Sequence, residues 1–522
     1  MGGMTAIRTL AVPALKRLFG RLVPAVLLTV AVAAAVGCGP AGKQTEEKDK
    51  LVFAIRLEPT TLDPQYQLDR YAMLLCDNIY DTLVFREADG SVSPRLSDSW
   101  EVSDDGTEYL FHLKEGVRFH DGSGLTAEDV KYTIDRSLQS PYCMSFNFAF
   151  EGAEVVDEHT VKVLLKYPFS PTLNILATSN FAVVSKAAVE KAGDAFGHNP
   201  VGTGPYRLKE WKDGQKLVLE RNDDYYSGPA AVRLVEIPVI KEQNTVMVAL
   251  NTGEIDGAEN LDATSRAGIL DNRELVLYET EAPTFWHLGF NCQAEPFDNK
   301  LVRQAVSHAV KKEDVIAAAK DGLAVPADTA LQKSVFGYSE DVKAPEYDPV
   351  LAKKLLAKAG YENGFSCSLL VREDFTYKIG QVIQSQLKEV GIDVELIVYE
   401  RSAFMEQLMK GNHQMCILGS GDSALDAAFS LAFINEDNIG AGGNFYFYAN
   451  PEVNRLLKQA EREMDGDRRK ELYKEILLLE KEEAPRVPLY FDYTNIVCRK
   501  ELAGVTAGSS VLFYQYSWNG EK

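Results

Sequence analysis

Between residues 365 and 420 the chain spells an alternation that few folds satisfy. FSCSLLV (365–371), IDVELIVY (392–399) and QMCILGS (414–420) are apolar runs of strand length. Between them, YKIGQVIQSQLKEVG (377–391) and SAFMEQLMKG (402–411) carry helical periodicity. Strands joined by helices of this length pair in parallel, because a parallel pair needs a crossover. The stretch therefore predicts an α/β fold with helices on the faces of a sheet.

The same grammar extends outward. LVFAIRL (51–57), RLVEIPVI (233–240), FWHLGFN (285–291) and RVPLYFDY (486–493) read as buried strands. TEYLFHL (107–113), TVKVLLK (160–166) and KLVLERN (216–222) lie beside DDG, DEH and KDG turns and read as antiparallel strands. Helices are expected at 72–84, within 243–258 (leaving through Gly253 into a loop), and at 299–319, 451–465 and 467–483. Another is expected at 348–360, with Asp348 as cap, Pro349 in the first turn and Gly360 as stop. At 522 residues such a chain divides into two or three lobes. A net charge of −21 excludes nucleic acid, which selects basic surfaces.

The first 37 residues carry Arg8, Lys16, Arg17 and Arg21, no acid, and the apolar run LVPAVLLTVAVAAAV (22–36). That pattern is an export signal, too short for a comfortable membrane span. Its end, AVGC, resembles the lipobox of bacterial lipoproteins, with Cys38 as the lipidated mature N-terminus before a polar tether. The body is then expected outside the cell membrane. The six later cysteines are scattered singly without C-x-x-C, which argues against a zinc or redox site. Cys292, Cys416 and Cys498 have apolar neighbours and are expected to be buried thiols.

Catalytic signatures are weak. VGTGPY (201–206) and GSGDS (419–423) lack the Lys-Ser/Thr of a phosphate loop and do not match G-x-S-x-G. The seven histidines show no H-x-x-x-H spacing. In HLKEGVRFHDGSGLTAEDV (112–130), the His120–Asp121 pair falls in a turn, and Thr126 with Asp129 forms a capping box for the following helix. No cofactor, metal or enzymatic activity is expected.

That stretch belongs to the longer run SVSPRLSDSWEVSDDGTEYLFHLKEGVRFHDGSGLTAEDVKYTIDRSL (91–138), which closely resembles the signature of solute-binding proteins of peptide and nickel ABC importers. NPVGTGPYRLKEW (199–211), FNCQAEPFDNKLVRQAVSHAVKKEDVI (290–316), LKEVGIDVEL (387–396) and ANPEVNRLL (449–457) extend the resemblance over nearly the whole mature chain. It implies a periplasmic-binding-protein-like type II fold, with two lobes on a hinge of two strand crossings and an extra β-rich subdomain in the first lobe. The expected limits are a signal peptide over 1–37, a tether over 38–50, lobe one over 51–285 with the subdomain at about 85–210, lobe two over 286–489, and a return to lobe one from 490. The implied partners are a short peptide, the ABC permease subunits and the membrane through Cys38, with the protein acting as a monomer. A nickel chelate, haem or an oligosaccharide is the alternative ligand on the same fold.

The resemblance also implies site residues. Peptide-binding relatives pair an aspartate, placed after a buried strand of lobe two, with the ligand's α-ammonium; Asp422 occupies that point, with Asp426 as fallback. Main chain at Gly419, Ser420 and Gly421, and at Leu68, Asp69 and Arg70, would hold peptide backbone, and Arg372 is the expected carboxylate clamp. Gly419 stands where the family often has an aromatic residue. Tyr66, Tyr446 and Tyr448 are candidate pocket walls, although packing is the commoner role of such aromatics.

Overall fold

The computed structural model describes residues 49–519, apart from 68, 88–89, 145–146, 375, 423 and 509. Cys38 and Leu68 lie outside the described residues.

Two long strands organise the molecule. Leu275–Phe290 and Arg486–Arg499 pair antiparallel along most of their length, from Leu275↔Arg499 to Gly289↔Arg486. Their register shifts between Glu281 and Phe285, where Pro283 removes one backbone donor. On one side of that irregularity the sheet continues through Gly257–Glu259, Lys50–Ala54, Leu234–Pro238, Lys216–Arg221 and Tyr206–Lys212. On the other it continues through Met415–Gly421, Phe365–Arg372 and Ile392–Tyr399. The fold is α/β with two lobes, and these strands are the crossings between them. Both run further than their apolar sequence cores indicate, because pairing carries them on through the amphipathic stretch 275–284 and through 494–499, whose Ile496, Val497 and Cys498 are buried.

The alternation at 365–420 forms as expected. Phe365–Arg372 pairs in parallel with Ile392–Tyr399 over eight residues and with the start of Met415–Gly421, and the helices Thr376–Glu389 and Arg401–Lys410 are the crossovers. An extra four-stranded sheet (Ser97–Val102, Glu108–Leu113, Thr160–Leu165, Phe150–Asp157) packs around Tyr109, Phe111, Phe150, Val161 and Val163.

Two helices depart from expectation. The single helix over 299–319 is two, Lys300–Ala309 and Lys312–Lys320. Val310 is buried and extended at the break, and the Gln386 amide bonds Lys311 N and O (both 3.2 Å), replacing the lost helical partners. The helix over 72–84 is Arg70–Ile79, stopped where Gly202 and Gly204 press on its last carbonyl. Of the cysteines, Cys416 and Cys498 are buried and Cys292 is half-buried; all six after Cys38 are free thiols.

Candidate functional site

The strand Met415–Gly421 delivers its backbone to the cleft and then turns sharply. Leu425 takes a left-handed conformation (φ 50°), held by Phe336 N donating to its carbonyl at 2.9 Å. The turn places Asp422 in a buried position with its two oxygens in different surroundings. Oδ2 accepts from Ser430 Oγ at 2.7 Å, while Oδ1 is buried without a hydrogen-bond partner. Burial pushes the carboxyl up to about 7, opposed by the Ser430 hydrogen bond and reinforced by the nearby Asp426 charge. A buried acceptor with no donor is costly; Asp422 Oδ1 is one of several such atoms among the described residues, and the one that belongs to a cavity-lining residue.

Asp422 and Gly421 line a cavity of about 650 Å³. This size suits a small molecule or short peptide. Met144, Phe148 and Phe169, from the subdomain side, face Phe429 and Phe433, from the segment after Asp422. Met144 and Phe148 remain 66% and 43% exposed. The lining also includes Asn435, Asp437, Lys458 and Glu461, with Lys458 paired to Asp437 at 2.7 Å. The sequence reading missed these aromatics, because residues 144–169 and 428–442 meet only through the tertiary fold.

Gly419, Ser420 and Gly421 pair on one edge with Trp286, Phe285 and Thr284. On the other edge, the ladder with Phe365–Arg372 holds Leu369↔Met415 and Leu370↔Cys416, so the glycine end runs past it. Gly419 is glycine for a packing reason: a Cβ there would sit 2.8 Å from the Trp286 ring. Trp286 fills the space that an aromatic at 419 would take. The Arg372 guanidinium stands 5.9 Å from that ring and is paired to Asp374 at 2.8 Å.

The remaining candidates are engaged elsewhere. Asp69 caps the helix Arg70–Ile79 through Ala72 N at 2.7 Å, and Arg70 forks onto the buried Glu259 at 3.2 and 2.6 Å. Neither they nor Arg372 are among the described residues lining the cavity. Asp426 is satisfied internally: it caps the helix Ala427–Leu431, pairs with Arg469, and accepts from Asn174 Nδ2 at 3.0 Å. Tyr446 and Tyr448 are core residues, and Tyr66 lies under Arg136, 4.6 Å from its ring. Asp121 closes the turn by accepting from Ser123, but His120 does more than turn. Its ring bonds Gly204 O at 3.0 Å and Gly202 N at 3.3 Å, and burial holds its pKa down at about 4. The capping box is present, with Thr126 N donating to Asp129 Oδ2 at 3.1 Å.

Known proteins similar to this chain identify its family. The family model of bacterial extracellular solute-binding proteins, family 5 (Middle), matches residues 91–441. The glutathione-binding protein GsiB of Escherichia coli (strain K12) is 31% identical over 495 residues, covering 92% of this chain and 95% of the relative. The periplasmic binding protein DppA of Helicobacter pylori, solved with the peptide STSA, superposes with a TM-score of 0.73 at 28% identity, covering 90% of this chain and 98% of that one. NikA of Brucella suis, solved with Fe(III)-EDTA, gives 0.81 at 27% identity, covering 90% and 99%. No described helix is long and apolar enough to cross a membrane. The chain belongs to the family 5 bacterial extracellular solute-binding proteins, and is a substrate-binding protein of an ABC importer rather than an enzyme.

Proposed function

We propose that this protein captures short peptides with a free α-ammonium outside the membrane and delivers them to its permease by lobe closure. The observation that carries the reading is Asp422 Oδ1: buried, unpartnered and at the wall of the cavity. A ligand ammonium there completes a charge-assisted hydrogen bond in a desolvated place. The edge of Gly419, Ser420 and Gly421 beyond its ladder supports backbone pairing with an extended ligand. Asp69 and Arg70, already engaged within their own lobe, serve as frame in this reading, and Arg372 reaches a ligand carboxylate by leaving Asp374. Lobe one runs over 51–285 and from 490, lobe two over 286–489, and Cys38 carries the lipid that keeps the receptor at the membrane. The named ligands of the relatives, a glutathione and the peptide STSA, both carry a free amine and fall within this class.

Native mass spectrometry of the purified protein tests the reading. A ladder of co-purified peptide masses, lost on gentle unfolding, is the expected result. A metal chelate, haem or saccharide mass in its place would contradict it.

A further inference from the structure

The cavity beside Asp422 is lined by large apolar side chains from two segments far apart in sequence, Met144, Phe148 and Phe169 from one and Phe429 and Phe433 from the other. Phe148 and Phe169 already pack edge to face at 5.1 Å, leaving the outer face of Phe148 exposed. The charged groups lining the cavity are Asp422, Asp437 and Glu461 against Lys458, and Lys458 is held by Asp437. Arg86, which lies near Asp422, donates to Asn174 O at 3.0 Å and faces the carboxylates of Asp422, Asp426 and Asp77.

We propose that this cavity takes the first side chain of the ligand, and that it selects a large apolar residue, leucine, methionine or phenylalanine, over a small or acidic one. The inference rests on the amine reading of Asp422. An ammonium at Oδ1 puts the Cα of the first residue at the cavity mouth, so its side chain enters between Phe148 and Phe429. There an aromatic or branched side chain gains apolar contact on both faces and covers the exposed Phe148 and Met144. A carboxylate in the same cavity shares it with Asp437 and Glu461, and the cation among its described lining residues, Lys458, is already paired. By this argument the γ-glutamyl group of glutathione, which carries a carboxylate beside its amine, is a poor fit here, although relatives 31% identical are named for binding it.

Calorimetry on the full chain with Phe-Gly-Gly, Leu-Gly-Gly, Gly-Gly-Gly, Glu-Gly-Gly and reduced glutathione tests the inference. The two apolar peptides should bind on the order of ten- to a hundredfold more tightly than triglycine, with the acidic ligands weaker still. Phe148→Ala and, separately, Phe433→Ala should compress the Phe-to-Gly affinity ratio severalfold. Equal affinity of Phe-Gly-Gly and Gly-Gly-Gly, or glutathione binding as tightly as either apolar peptide, would overturn the inference. N-acetyl-Phe-Gly-Gly separates the two levels. If it binds as well as the free peptide, the amine reading fails. If it binds poorly while side chain makes no difference, the amine reading stands and the apolar selection fails. Absence of binding by the whole series overturns both.

Discussion

Asp422 and Asp426 stand four residues apart and do different work, and only their surroundings tell them apart. Asp426 has a helix N-terminus, an arginine and an asparagine; Asp422 has Ser430 on Oδ2, the Asp426 backbone and the more distant Arg86 charge, and no side-chain partner on Oδ1. That difference has a cost that can be measured. An unfolded aspartate ionises near 3.8, whereas folded Asp422 keeps its proton up to about 7. Over that window the folded chain binds more protons than the unfolded one. This group's contribution to ligand-free stability therefore falls as pH rises from about 4 to 7. Asp422→Asn should raise the ligand-free unfolding free energy at pH 7.5 on the order of a few kcal/mol. The gain should shrink toward zero near pH 4, followed by thermal melts across that range. A mutant destabilised equally at both pH values would mean that the carboxyl is not buried in this way. The aspartate itself was legible in the sequence through family resemblance. Its empty oxygen was not, because hydrogen-bond partners eight residues away cannot be read from a string.

At the scale of single elements, strands and caps followed their sequence patterns closely, while terminations did not. Asp348 caps its helix through Val350 N and Leu351 N as its position before Pro349 suggested. The break at Val310 and the stop at Ile79 depend on Gln386 and on the 201–206 loop, which are distant in sequence. That loop explains VGTGPY, whose glycines resembled a ligand-binding loop but pack on protein instead. A Cβ on Gly202 would lie 2.1 Å from Ile79 O, and one on Gly204 2.6 Å from Ile79 C, both backbone atoms that cannot swing aside. His120 fastens the same loop from the other side and is a structural tie. Gly202→Ala should cost roughly 1 to 3 kcal/mol or more by chemical denaturation. Gly122→Ala, at a position with open space around it, should cost mainly the strain of its φ of +88°. Indifference at Gly202 would show that the loop stands further from the helix than described.

On the scale of the whole molecule, the cleft is bridged by contacts that need no ligand. Asn174 reaches Asp426, Ser170 N donates to Glu461 O at 2.8 Å, and Arg462 lies 5.5 Å from the Tyr167 ring. In the lobe closure proposed above, these bonds favour the closed form and the desolvated Asp422 opposes it. Asn174→Ala, which removes one such bond without touching the cavity, should weaken peptide binding about three- to tenfold. Small-angle scattering should show a larger radius of gyration without ligand and the wild-type value at saturation. An unchanged radius and affinity would mean that Asn174 does not bias closure. The two-lobe plan was visible in the sequence, but these bridging contacts join residues some 250 positions apart and come into view only in the folded chain.

The account rests on the pairing of Asp422 with a ligand amine, and a double-mutant cycle by calorimetry tests that pairing most directly. Its four corners are wild type and Asp422→Asn, each with Phe-Gly-Gly and with N-acetyl-Phe-Gly-Gly. The free peptide should lose roughly 30- to several-thousandfold in affinity on mutation. The acetylated peptide should bind wild type weakly and lose little more, giving a large coupling between the two changes. Equal losses for free and acetylated peptides would contradict the account, leaving Asp422 a structural carboxylate and placing the amine elsewhere.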